Sequence, residues 1–122
     1  MASAEAIVVA ALKGLVPGPN GTFRVYPDVA PAGAVMPYIT YQGVGGQDET
    51  TFDGLNTLQN KRMQINVWAA ERAAAAALEI PILQALTAAP VLGTPIGAPV
   101  SVYEDDTKLF GSRLDISIWF NI

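Results

Sequence analysis

Two segments of the chain alternate with the period of a β-strand, and together they constrain what it can fold into. In Lys61–Ala69 (KRMQINVWA), Met63, Ile65 and Val67 take one face, and Arg62, Gln64, Asn66 and Trp68 take the other. In Gly111–Asn121, Leu114, Ile116, Ile118 and Phe120 alternate in the same way with Arg113, Asp115, Ser117 and Trp119. A strand with one apolar face must bury it against a second layer, and two helical segments can supply that layer. Ser3, a good N-cap, precedes Ala4–Leu15, where Ile7, Ala11 and Leu12 form a stripe flanked by Val8 and Leu15. Glu71–Thr87 opens on the alanine run Ala73–Ala77 and stacks Leu78, Ile82 and Leu86 on one face. Pro81 is expected to kink or split it, because the ring collides with the preceding turn.

The remaining segments complete a sheet. Val16–Gly21 stops the first helix, and Phe23–Tyr26 reads as a short extended piece. Met36–Val44 is β-branched and aromatic, with Pro37 at its start where a missing N–H costs least. Gly45–Asn60 is polar and glycine-rich, a long loop or hairpin tip. Val91–Ala98 reads as a loop with a short strand, and Pro99–Glu104 as a strand candidate. This order predicts an α+β two-layer sandwich: a mostly antiparallel sheet with two helices packed on one face. It forms a single domain over residues 1–122, with a long flexible loop at about 45–60.

Composition limits the chemistry. The chain has no Cys and no His, which removes thiol nucleophiles, disulfides, imidazole bases and every Cys- or His-based metal site. It is 51% hydrophobic and 15% charged, against roughly 25% charged for an ordinary soluble domain. So few charges predict that part of the surface is covered by other chains. A net charge of -4 and seven scattered Lys and Arg residues oppose a phosphate-gripping surface. The apolar stretch Ala6–Leu12 follows Glu5 rather than a basic segment and falls far short of the roughly 20 residues that cross a bilayer. The expectation is a soluble protein made in a cytoplasm, without a membrane partner.

Two carboxylate groups stand out: Asp48, Glu49 and Asp53 in the long loop, and Glu104, Asp105 and Asp106 before the last strand. Neither has the alternating spacing of a calcium loop, and acidic turn residues are ordinarily solvated. Gly43-Val44-Gly45-Gly46 lacks the Lys and helix start of a phosphate loop. No catalytic, cofactor or metal residue is expected. Trp68 and Trp119, in contrast, both fall in the polar register of their strands. Either a loop or second layer folds over them, or a neighbouring subunit covers them, as suits an indole at an association hot spot.

The ordered set Arg24-Val25-Tyr26-Pro27, Ala30-Pro31, Pro37-Tyr38-Ile39-Thr40-Tyr41-Gln42, Asp53-Gly54, Arg62–Ala69, Tyr103–Thr107 and Leu114–Trp119 resembles the tail-completion, or tail-terminator, family of tailed bacteriophages. The resemblance runs from the first helix to the C-terminus. Pro81 and the proline-rich segment Pro90–Pro99 depart from the usual pattern. It implies a non-enzymatic structural protein of the virion, assembled in the host bacterial cytoplasm, that forms a ring, typically a hexamer, on the head-proximal end of the tail tube. Such a ring stops tube growth and docks to the head-completion or neck connector protein, while DNA passes through the lumen without specific binding. The implied partners are further copies of the chain, the tail tube protein and that connector protein. Residues expected at the subunit or tube interface are Trp68, Trp119, Arg62, Arg113, Asp48, Glu49, Phe52, Asp53 and Leu55. The competing readings are a neck or head-closure component, a small metal-dependent enzyme using one acidic cluster, and a monomeric ligand-binding module.

Overall fold

In a computed structural model of the chain, the structure describes residues 3–48, 52, 54, 55 and 57–122. The α+β sandwich is the architecture found, with α1 (Ala4–Leu12), β1 (Val25–Pro27), β2 (Tyr38–Gly43), β3 (Leu58–Ala69), α2 (Arg72–Ala76), α3 (Glu79–Thr87), β4 (Thr94–Pro95), β5 (Val100–Glu104) and β6 (Leu109–Asn121) in chain order. The sheet runs β1-β2-β3-β6-β4, and β5 also pairs with β6. β1 lies parallel to β2, and every other pairing is antiparallel.

The two alternating segments form the centre. β3 pairs with β6 from Leu58↔Asn121 to Ala69↔Phe110 without a break in register. Met63, Ile65 and Val67 from β3 and Leu114, Ile116 and Ile118 from β6 are buried on one face. Val8 and Leu12 of α1, Ala75 of α2, and Ile82 and Leu86 of α3 pack in the same core cluster. Both helical regions therefore cover one side of the sheet, and α1 starts on the Ser3 cap, whose Oγ accepts the Ala6 N–H at 3.1 Å.

The structure differs from the sequence reading at two places and locates a break that the reading expects. First, α1 ends at Leu12 and a 3-10 turn carries Lys13–Leu15. Second, β3 begins at Leu58 rather than at Lys61. The polar residues Gln59 and Asn60 join the ladder because Phe120 and Trp119 of β6 lie opposite them. The ladder between β2 and β3 also continues past its named ends: the Val44 N–H donates to the Arg62 C=O at 2.8 Å, and the Arg62 N–H to the Gly45 C=O at 2.7 Å. The second helix splits, as expected from Pro81, but the break lies upstream of the proline, between Ala76 and Glu79, so that Pro81 occupies the third position of α3. The first turn of a helix has no intrahelical partner for its N–H groups, so proline loses no bond there.

Three side chains tie the layers and loops together. Arg24 donates from Nε to the Pro37 C=O at 2.9 Å and from Nη1 to the Pro17 C=O at 2.6 Å, joining the two connections that flank β1. Arg72 donates to the C=O groups of Gly111 and Val102, and its guanidinium lies 5.2 Å from the Phe110 ring centroid. The buried Ser112 Oγ donates to Glu79 at 2.6 Å, anchoring the start of α3 on β6. Because Pro81 sits in the first turn, Pro81→Ala is expected to change stability by less than about 1 kcal/mol. Urea denaturation checks this; a loss of several kcal/mol would show that the ring itself is needed for the helix start.

Candidate functional site

The side of the sheet away from the helices is not covered by a second layer, and it carries the polar registers of β2, β3 and β6. Its rows follow the strand pairing: Tyr38, Trp68 and Gly111 form one, Thr40, Asn66 and Arg113 the next, then Gln42, Gln64 and Asp115. These side chains bind one another. Arg62 donates to Asp115 Oδ2 from Nε at 2.9 Å and again from Nη2. Arg113 contacts Asn66 Oδ1 at 3.4 Å. Asn60 donates to Ser117 Oγ at 2.8 Å, and its Oδ1 accepts the Gln47 N–H at 3.0 Å. Asp115 Oδ1 is buried with no partner among the described residues, which leaves this carboxylate dependent on Arg62.

Trp68 and Trp119 both lie on this open face, as their register requires, but at opposite ends. Trp68 pairs with Gly111 and Trp119 with Asn60, and eight residues of β6 separate the two rows, about 27 Å. They belong to two different surfaces. At the Trp68 end, the Asp28–Ala30 segment folds up to bound a hollow of about 390 Å³ that also takes in Tyr38, Glu104 and Arg113. The indole lies over Gly111, where a Cβ would stand 2.8 Å from the ring and 2.8 Å from the Val102 methyl. The loop and the missing side chain of Gly111 thus half-bury Trp68 within its own subunit. Burial and the neighbouring Glu104 carboxylate raise the Tyr38 hydroxyl pKa above the ordinary tyrosine value. Trp119, by contrast, is 38% exposed and lies diagonal to the exposed Leu58.

The other expected interface residues are placed as follows. Asp48, Phe52 and Leu55 are exposed at the β2–β3 connection. Glu49 and Asp53 lie outside the described residues. In the second acidic group, Glu104 accepts the Thr107 hydroxyl at 2.6 Å and Asp105 pairs with Lys108 at 3.1 Å, so these residues close the β5–β6 turn. Among the described residues no three His, Cys, Asp or Glu side chains converge as metal ligands would, and no helix is long and apolar enough to cross a membrane. Sequence reasoning missed the Asp115 partner of Arg62, which is 53 positions away, and the Asp28–Ala30 wall. It also missed an apolar groove of about 430 Å³ between α1 and the end of α3.

The surface thus combines a polar sheet face, an uncharged groove on the helices and scattered exposed apolar residues. The family model described as "Tail completion protein gp17" matches residues 4–121. The chain belongs to this family. It is therefore a structural component of a bacteriophage tail, in a family that is not a class of enzymes. Comparison with curated protein sequences gave no significant match.

Two substitutions test this geometry. Arg62→Ala is expected to destabilise the fold by about 1–2 kcal/mol, since it strands the partly buried Asp115 carboxylate while Arg62 itself is half-exposed. Chemical denaturation reads this, and an unchanged midpoint would contradict it. In a Trp119→Phe background, Gly111→Ala should displace the Trp68 indole, shift its fluorescence to longer wavelength and cost about 1–3 kcal/mol. An unshifted spectrum would mean that the indole does not rest on Gly111.

Proposed function

We propose that this chain closes into a ring, of six copies as the sequence resemblance implies, on the head-proximal end of the tail tube. There it stops tube polymerisation and offers a docking surface to the head connector. The match to the tail completion family over residues 4–121 carries this reading. The chemistry of the surface agrees with it. Val29, Val35, Phe52, Leu55, Ile80 and Leu92 are each at least 60% exposed, apolar surface that contacts with neighbouring chains would remove from water.

The charge pattern suits a conduit for DNA. Arg62 and Lys108, two of the seven basic side chains, are paired with carboxylates, and the chain as a whole carries a net charge of -4. A ring of net negative subunits does not hold phosphates, so DNA slides past without a specific site. The subunit assembles in the host bacterial cytoplasm and resides at the head–tail junction of the virion.

The direct test is a polymerisation assay with purified tail tube protein, with tube lengths measured by electron microscopy. Added chain should bind one tube end and arrest elongation. A chain that leaves the length distribution unchanged would overturn the terminator role, and one that binds only the head connector belongs to the neck instead.

A further inference from the structure

The subunit carries two uncharged apolar surfaces that it does not cover, at opposite ends and in opposite layers. The first is the segment Val29–Pro37 (VAPAGAVMP), which has no charged, hydroxyl or amide side chain. Val29 is 78% and Val35 65% exposed, and Met36 is also exposed. This loop bounds the Trp68 end of the open face and shares a hollow with Thr107 and Leu109 at the β5–β6 turn. The second is the groove between α1 and the end of α3, walled by Ala6, Ile7 and Ala10 on one side and Ala85, Ala88 and Val91 on the other. Gly93, just beyond it, packs against Ile116 of β6. From Leu109 to Ile116 is seven residues of strand, about 23 Å. The loop and groove of one molecule are therefore kept apart, while those of two molecules can meet head to tail.

Charge favours the same pairing. The loop stands beside Asp28 and Glu104, neither of which is ion-paired among the described residues; Arg113 lines the same hollow but is turned to Asn66, to which it donates. Lys13 lies one helical turn beyond Ala10, exposed, with no ion-pair partner among the described residues, while Glu5 lies at the far end of α1. Two different complementary patches on one chain make a heterologous contact, the kind that generates a ring when its rotation closes.

We infer that the Val29–Pro37 loop of each copy seats in the α1–α3 groove of the next, with Lys13 facing the acidic corner around Asp28. The inference rests on the ring reading above and specifies which surfaces of adjacent copies meet. It makes no demand on the tube or the connector.

Because the chain has no cysteine, single cysteines report this contact without background. Val35→Cys and Ala88→Cys variants, distinguished by tag mass, are treated with a short bismaleimide separately and mixed, both as free protein and after addition to tail tubes. Both positions are exposed, and circular dichroism confirms that the fold is kept. Mixed dimers should exceed those of either variant alone by about tenfold, and Ala10→Trp, which fills the groove, should lower assembly by about tenfold. Lys13→Glu should weaken assembly and Asp28→Lys should restore it. Equal crosslinking within each single variant would show like-with-like packing and overturn the inference. Rings that form without mixed crosslinks, and that tolerate Ala10→Trp, would reject this contact and leave the ring reading standing. A wild-type chain that neither self-associates nor binds tubes would reject both.

Discussion

The ladder between β3 and β6 is the constraint on which the rest of the subunit depends. It keeps one register from Leu58↔Asn121 to Ala69↔Phe110, a span of about 40 Å. Side chains alternate strictly along it, so a slip of one residue would exchange Met63, Ile65 and Val67 for Arg62, Gln64 and Asn66 in the core. The helices can pack only where the ladder presents its apolar row. Ser112 and Glu79 then fix where α3 begins, and Arg72 holds β5 to β6. The whole helix layer is positioned by one pairing.

The same pairing builds the open face. Each residue that points into the core has neighbours that point out, and the outward set is largely Arg, Asp, Asn, Gln and Ser, with two Trp. These groups are not simply solvated. Arg62 reaches across to Asp115, Asn60 to Ser117, and Arg113 to Asn66, so the polar surface is pre-ordered by bonds within the sheet. A rigid polar face of this kind can meet another protein at low entropic cost. The helix layer is different in character, dominated by alanine and almost uncharged between α1 and the end of α3. One subunit thus offers surfaces of two chemistries, which suits a part that contacts unlike neighbours.

What was legible in the sequence was local and periodic. Lys61–Ala69 and Gly111–Asn121 reveal their buried faces because period two is written in adjacent residues. Pro81 announces a disturbed helix, but its position cannot say that the break lies upstream, between Ala76 and Glu79, where the proline becomes harmless. Gln59 and Asn60 do not look like strand residues; they extend β3 because β6 lies opposite them. The register of Trp68 was readable, whereas its partial cover was not. That cover comes from Gly111 and from Asp28–Ala30, which are remote in the chain. The Arg62–Asp115 ion pair is hidden for the same reason.

The account turns on uncovered surfaces being completed by assembly. A low charge content, an apolar groove on the helices and an uncharged exposed loop are unfavourable in a solitary domain and natural in a packed ring. The most direct measurement is an electron cryomicroscopy reconstruction of the head-proximal end of the assembled tail. The account predicts a closed ring of this chain seated on the last tube layer, with the α1–α3 groove buried. A reconstruction in which the chain sits there as isolated copies, with that groove open to solvent, would contradict it.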